Sequence, residues 1–300
     1  MPSSITYEYL SCAVQRTAHV ADWVQWGMGR DALVFGVHKA LAVWLDPTEP
    51  TARAPAVHMW PLPCQETVHV LKAWQDDVPR IVVGTYEGGL ELWRVHEDEL
   101  CCDASVPGAH AAAITAVGVP RDAYTREHGP REFVTGGSDS KLRVWSCDPL
   151  RVVQTVDLEG AFPLDVALVS LPQTDAMVMA VAATDRRISL YVRSGGAGTY
   201  VRQLRLAGHE DWVRALDFTV ALPDVWLASA SQDQHVRLWR WRPETRQPQA
   251  PTDAFEAMAR ELLPDEGIRT KIDWLSLPGS ATRWGVSLDA LLLGHDAWVT

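Results

Sequence analysis

A chain of 300 residues with 47% apolar content is long enough to bury a large core, as one big domain or two small ones. Its formal net charge of −11 argues against a surface that binds phosphate backbone unaided, because nonspecific nucleic-acid affinity comes largely from Lys and Arg displacing counterions. Its five cysteines form no C-x-x-C pair and its ten histidines form no H-x-H or H-x-x-x-H, which leaves no metal or disulfide framework and fits a reduced, intracellular protein.

The first residues, Met1-Pro2-Ser3-Ser4-Ile5-Thr6, carry no basic region followed by an apolar run, and no stretch approaches the ~18 uninterrupted apolar residues of a membrane span. A soluble cytosolic or nuclear protein is expected. Residues 9–15 read as a short strand. His19-Val20-Ala21-Asp22-Trp23 then opens a pattern that recurs down the chain: a compact apolar run, a polar turn, and an alternating segment that closes on an aromatic. Leu33-Val34-Phe35-Gly36 leads to Trp44, Ile81-Val82-Val83-Gly84 to Trp93, and Phe133-Val134-Thr135-Gly136 to Trp145. Met177-Val178-Met179-Ala180 leads to Tyr191, and Trp226-Leu227-Ala228-Ser229 to Trp239. The alternating segments have the period of a strand with one buried face, while the continuous apolar runs suit strands buried on both faces.

The aromatic anchors at 44, 93, 145, 191 and 239 are 49, 52, 46 and 48 residues apart. A repeat of that size holding several short strands resembles the four-stranded blade of a WD40 β-propeller, with somewhat longer loops than its usual ~40–45 residues. The expected fold is therefore all-β: about five four-stranded blades over residues 16–60, 65–106, 112–158, 162–206 and 210–293, plus the start of a sixth at 294–300. That start is visible because Gly208-His209-Glu210-Asp211-Trp212-Val213 is echoed by Gly294-His295-Asp296-Ala297-Trp298-Val299. Residues 9–15 could supply an outer strand that closes such a propeller ring against its last blade.

By this resemblance His209, Ser229, Asp233 and Trp239 match the residues that WD40 blades join in a buried hydrogen-bond network, and His110, Thr135, Asp139 and Trp145 repeat the set. The other units lack parts of it, with Val83 at the Ser/Thr position, Glu87 for the Asp and Tyr191 for the Trp, so weaker pinning is expected there. Ser, His and Asp together also suggest a hydrolase triad. That reading is weak, since Ser229 lies in a strand without a G-x-S-x-G elbow and its spacing recurs at Thr135/Asp139. No catalytic, cofactor-binding or metal residue is expected.

Two further features concern partners. Residues 243–283 read as an insertion in which Phe255, Met258, Ala259, Leu262 and Leu263 fall on one stripe of an amphipathic helix, Asp253 with Glu256 forms a capping pattern, and Pro264 ends the run. Its apolar stripe fits a partner or the chain's own sheets equally. Trp274-Leu275-Ser276-Leu277 follows as a segment able to dock it. Trp23, Trp212 and Trp298 stand at the entry to a blade's inner strand, where they serve either as partner hot spots or as packing between blades.

The ordered set from His19–Trp23 through Gly136-Gly137-Ser138-Asp139 and Gly208–Arg214 to Leu292–Val299 resembles the WD40 family that forms subunit 2 of the Elongator complex. Members of that family carry two seven-bladed propellers, so this chain corresponds to part of the first. The resemblance implies a non-enzymatic scaffold that binds Elongator's first and third subunits, while the third subunit carries the chemistry on the wobble uridine of tRNAs. No cofactor, no membrane association and no independent nucleic-acid binding are expected. Other readings are a WD40 adaptor in ubiquitin ligation or chromatin binding, and a hydrolase with a site on the propeller rim.

Overall fold

The structure is a computed structural model, and it describes residues 18–27, 30–45, 57–75, 78–120, 132–171, 176–194, 198–221, 224–243 and 270–278. Among the described residues, twenty strands form five four-stranded antiparallel sheets in which the chain order is also the spatial order. The first sheet runs β1 (Ala18–Trp26), β2 (Arg30–Val37), β3 (Ala40–Leu45) and β4 (Val57–Pro61). The second runs β5 (Val68–Gln75), β6 (Pro79–Thr85), β7 (Leu90–His96) and β8 (Glu99–Val106). The third holds β9 (Ile114–Gly118), β10 (Glu132–Gly137), β11 (Lys141–Cys147) and β12 (Leu150–Asp157). The fourth is β13 (Pro163–Ser170), β14 (Met177–Ala183), β15 (Ile188–Arg193) and β16 (Val201–Leu206), and the fifth is β17 (Val213–Ala221), β18 (Asp224–Ser231), β19 (His235–Pro243) and β20 (Thr270–Pro278). This is the repeat of a partial β-propeller.

The turn between the second and third strands is set by one residue in the left-handed region: His38, Gly88, Ser140, Arg186 and Gln234 all have φ between 51° and 93°. Glycine or short polar side chains tolerate that conformation best. The apolar runs become the second strands, and β14 is buried at every position. The fourth strands β12 and β16 are mostly exposed.

The chain divides into two compact units, one of residues 1–119 with 137–139 and the other of residues 120–136 with 140–300. In the first, β1 lies against β5 and β5 against β9. The approach is close enough that a Cβ on Gly36 would lie 2.4 Å from Val68 Cγ1, and one on Gly84 2.6 Å from Ile114 Cγ2. A side chain at either glycine would push the next sheet away. Trp26, Val34, Leu41, Leu62, Leu71, Ile81 and Trp93 fill the space between the first two sheets. In the second unit β13 lies against β17, around Ala180, Ile188, Leu190, Leu216, Leu227 and Trp239.

One expectation is corrected. Residues 270–278 belong to the predicted insertion, yet they form β20, with Trp239 opposite Trp274 and Leu238 opposite Leu275. Their two-residue alternation competes with the helical stripe before them, and in the sheet the unsatisfied edge of β19 decides in favour of a strand. Among the described residues there is no helix. The stripe Phe255, Met258, Leu262, the strand at 9–15 and the repeat start at 294–300 lie outside the described residues.

Candidate functional site

The fifth sheet gathers the four residues expected there. The β18–β19 turn presents Asp233, the loop before β17 presents His209, and Ser229 on β18, opposite Arg237, lies diagonally from Trp239 on β19, which is opposite Leu227. His209 Nδ1 is 2.7 Å from Asp233 Oδ2, His209 Nε2 is 2.8 Å from Ser229 Oγ, and Trp239 Nε1 donates to Ser229 Oγ at 2.9 Å. Asp233 also accepts the backbone N–H groups of Glu210 and His235 at 3.0 and 2.9 Å.

Burial holds His209 below its ordinary pKa despite the Asp233 carboxylate beside it. Burial alone would raise Asp233, but the hydrogen bonds from Glu210, His209 and His235 together outweigh it and leave its pKa lowered. The imidazole is thus neutral, with Nδ1–H donating to Asp233 and Nε2 accepting from the Ser229 hydroxyl. That is the hydrogen-bond order of a nucleophilic triad. Access is what differs: Ser229 is 1% exposed, and the indole of Trp239 occupies its remaining side. The chain of bonds ties a loop, a turn and two strands together.

In the first unit His110 Nδ1 is 2.9 Å from Asp139 Oδ1, and Asp139 Oδ2 accepts the N–H of Ala111 at 3.2 Å. In the second unit Trp145 Nε1 donates to Thr135 Oγ1 at 2.8 Å.

The second sheet has a different network that sequence reasoning missed. Glu66 takes the place of the histidine, accepting from Thr85 Oγ1 at 2.6 Å and from Gly89 N at 3.1 Å. Glu87 accepts the N–H of Thr67 at 3.0 Å, as Asp139 and Asp233 accept those of Ala111 and Glu210. Because Val83 offers no hydroxyl, Trp93 Nε1 donates instead to Glu91 Oε2 at 2.9 Å, and Glu91 Oε1 accepts from Cys64 N at 2.9 Å. Weaker pinning was expected here, but a fully buried glutamate replaces the missing serine or threonine. The signal lay two residues before the aromatic, where Glu91 sits between Leu90 and Leu92. Burial, reinforced by Glu91, pushes the Cys64 thiol up to about 12 and the Cys102 thiol to about 11. Neither is a thiolate nucleophile at neutral pH.

A second missed cluster joins strands of the third and fourth sheets. Glu132 accepts from Arg193 and, at 2.6 Å, from the Tyr200 hydroxyl. Arg193 also lies over the Tyr200 ring at 5.1 Å, and Gln154 clasps the Tyr200 backbone with bonds of 2.9 and 2.7 Å. All three of Glu132, Arg193 and Tyr200 are buried. Desolvation, with the Glu132 charge adding to it, holds Tyr200 well above its ordinary pKa.

Of the tryptophans, Trp23 is 54% and Trp212 39% exposed. Trp212 immediately precedes β17 and accepts from Gln232 N, whereas Trp23 lies six residues into β1 opposite Leu33, so Trp23 is not at a strand start as expected. The exposed Phe162 holds the equivalent of the Trp212 position in the fourth sheet, accepting from Thr184 N. Trp298 lies outside the described residues. Among the described residues no three His, Cys, Asp or Glu side chains are grouped to hold a metal ion.

Comparison with known proteins agrees with this geometry. The WD domain, G-beta repeat family matches residues 198–240, the stretch that contains the fifth-sheet network. The chain is 26% identical over 294 residues to Elongator complex protein 2 of Danio rerio, covering 97% of this chain and 32% of that protein. It is 27% identical over 302 residues to Elongator complex protein 2 of Drosophila melanogaster, covering 97% and 36%, and 26% over 232 residues to that of Homo sapiens, covering 75% and 26%. It thus spans about a third of the length of these relatives. The chain carries a WD40 repeat on partial β-propeller architecture and is similar along nearly all of its length to Elongator complex protein 2.

Proposed function

We propose that this chain is part of a non-catalytic scaffold subunit of the Elongator complex, supporting wobble-uridine modification of tRNA through protein contacts with the first and third subunits. The similarity to Elongator complex protein 2 over 97% of the chain carries this reading. The chemistry of the fifth sheet supports it: its Ser-His-Asp relay is closed by burial and by Trp239, which suits a role in the fold. The net charge of −11 suits protein partners better than tRNA held alone. Exposed Trp23, Trp212 and Phe162 offer anchors of the kind that dominate interfaces. Cytoplasmic residence, extending to the nucleus, goes with this role.

Affinity purification of the natural protein from cells tests the reading. It should recover Elongator's first and third subunits in stoichiometric amounts. Recovery of a ubiquitin ligase or chromatin complex in their place would assign the chain to another WD40 adaptor.

A further inference from the structure

Two neighbouring sheets of the second unit each offer an aromatic ring at the same step of the chain. Phe162 immediately precedes β13 and Trp212 immediately precedes β17. Each carbonyl accepts an N–H from the turn between its sheet's second and third strands, that of Thr184 in one and of Gln232 in the other. Phe162 is 46% and Trp212 39% exposed. The backbone under both is fixed, since Phe162 N donates to Thr184 Oγ1 at 3.1 Å and Trp212 N to Asp211 Oδ1 at 2.7 Å.

Arginines flank the pair. Arg186 and Arg187 follow Thr184 in its turn, and Arg214 is two residues beyond Trp212; all three are exposed, and among the described residues none has an ion-pair partner. The carboxylates beside them are largely engaged. Asp185 accepts the N–H of Arg187 at 3.2 Å, Asp211 that of Trp212, and Glu159 lies 3.8 and 3.9 Å from Arg202 and Arg205. Glu210 is left as the unpaired carboxylate next to Trp212. On a chain of net charge −11, three unpaired arginines around two exposed rings fit a partner that brings carboxylates. Nucleic acid fits less well, because a phosphate at every nucleotide would also meet Asp185, Glu210 and Asp211.

Spacing narrows the partner further. Packed sheets lie about 10 Å apart, and β13 lies against β17 with Asp165 bonded to Leu216, so roughly that distance separates the two ring positions. A polyproline II segment returns a side chain to one face every third residue, about 9 Å along its axis. A β-strand returns one every second residue, at about 7 Å and then about 13 Å.

We propose that Phe162 and Trp212 dock an acidic polyproline II segment of a partner protein. Its apolar side chains, three residues apart, cover the two rings, and its carboxylates reach Arg186, Arg187 and Arg214. This deepens the scaffold reading and rests on it for the choice of a protein partner.

Fluorescence anisotropy with the natural protein provides the test. The probe is a short labelled peptide of Pro, Asp and Glu that carries two leucines three residues apart. Wild type should bind it, and Phe162→Ala/Trp212→Ala should weaken binding at least tenfold. Arg186→Glu/Arg214→Glu alters only exposed side chains, should weaken binding to a similar degree, and covers the case in which the aromatic variant does not fold. Two control peptides, one with leucines two residues apart and one with Lys in place of Asp and Glu, should bind at least tenfold more weakly. Absence of binding to the acidic peptide, equal binding of either control, or unchanged binding in the folded variants would overturn the inference. So would tighter binding of a labelled oligouridylate that the same variants abolish, since the rim would then hold nucleic acid. None of these results depends on which complex is recovered from cells. The peptide site can therefore fail while the scaffold reading stands, and recovery of another complex can sink the scaffold reading while the peptide still binds.

Discussion

Asp165 on β13 accepts the backbone N–H of Leu216 on β17 at 2.7 Å, and the two residues are 51 apart, about one repeat. In the first unit Asp22 on β1 does the same to Ala73 on β5 at 2.9 Å, again 51 residues on. Each carboxylate uses its second oxygen to accept the N–H of its own following residue. The sheets are thus joined by charge-assisted bonds between first strands as well as by apolar packing. Asp165→Ala should lower stability by about 1.5–3 kcal/mol, the usual worth of a hydrogen bond to a charged group. Denaturant titration measures the loss, and faster exchange of the Leu216 amide would locate it. A loss below about 0.5 kcal/mol would mean that packing alone joins these sheets.

The Glu132–Arg193–Tyr200 cluster predicts a different pattern. Arg193→Met removes one partner of a buried pair and strands a carboxylate, which should cost about 3–5 kcal/mol. Adding Glu132→Leu should recover part of that loss, because no unpaired charge remains. Equal losses in the single and double variants, measured in a double-mutant cycle, would show that the pair contributes nothing through its charges.

In the second sheet, Glu91→Ala leaves the Trp93 indole and the Cys64 amide without acceptors and should cost about 2–4 kcal/mol. Val83 pairs with Glu91 and stands where Thr135 and Ser229 stand in their sheets. Val83→Thr in the Glu91→Ala background should therefore restore about 1 kcal/mol by returning a hydroxyl to Trp93. Thermal melts of the three variants decide this.

Acid should destabilise the fifth sheet in two stages. His209 has a folded pKa below its ordinary 6.5, so its contribution is complete above about pH 6.5 and is lost as pH falls from there toward the folded value. Asp233, lowered from 3.8, contributes fully above that pH and loses its share below it. The melting temperature should hold steady between pH 7 and 8 and fall below about 6.5. His209→Gln should flatten the first stage and leave the second. A variant whose melting temperature falls as steeply as wild type between pH 6.5 and 5 would place the titration elsewhere.

Periodicity made the sheets legible. Each strand that carries Trp44, Trp93, Trp145, Tyr191 or Trp239 is the third of its sheet, and each apolar run before it is the second. Fold class needed only that pattern and its spacing. The histidine networks were legible because a short motif repeats, as Asp139 and Asp233 show. Glu66, Glu91 and Glu132 were not, since a buried carboxylate is recognised by its partners, and these include Thr85, Cys64 and Tyr200, which lie 19, 27 and 68 residues away. Trp23 was misplaced by counting from His19 rather than by strand register, and β20 was hidden behind the amphipathic stripe that precedes it.

The most direct measurement of the scaffold reading is the wobble-uridine modification of tRNA in cells depleted of the natural protein, quantified by nucleoside mass spectrometry, and then in the same cells supplied with wild type or a folded Ser229→Ala variant. Modification should fall on depletion and return equally with both, because in the scaffold reading Ser229 serves only to hold Trp239 and His209. Modification that survives depletion, or that returns with wild type but not with a folded Ser229→Ala variant, would contradict the account.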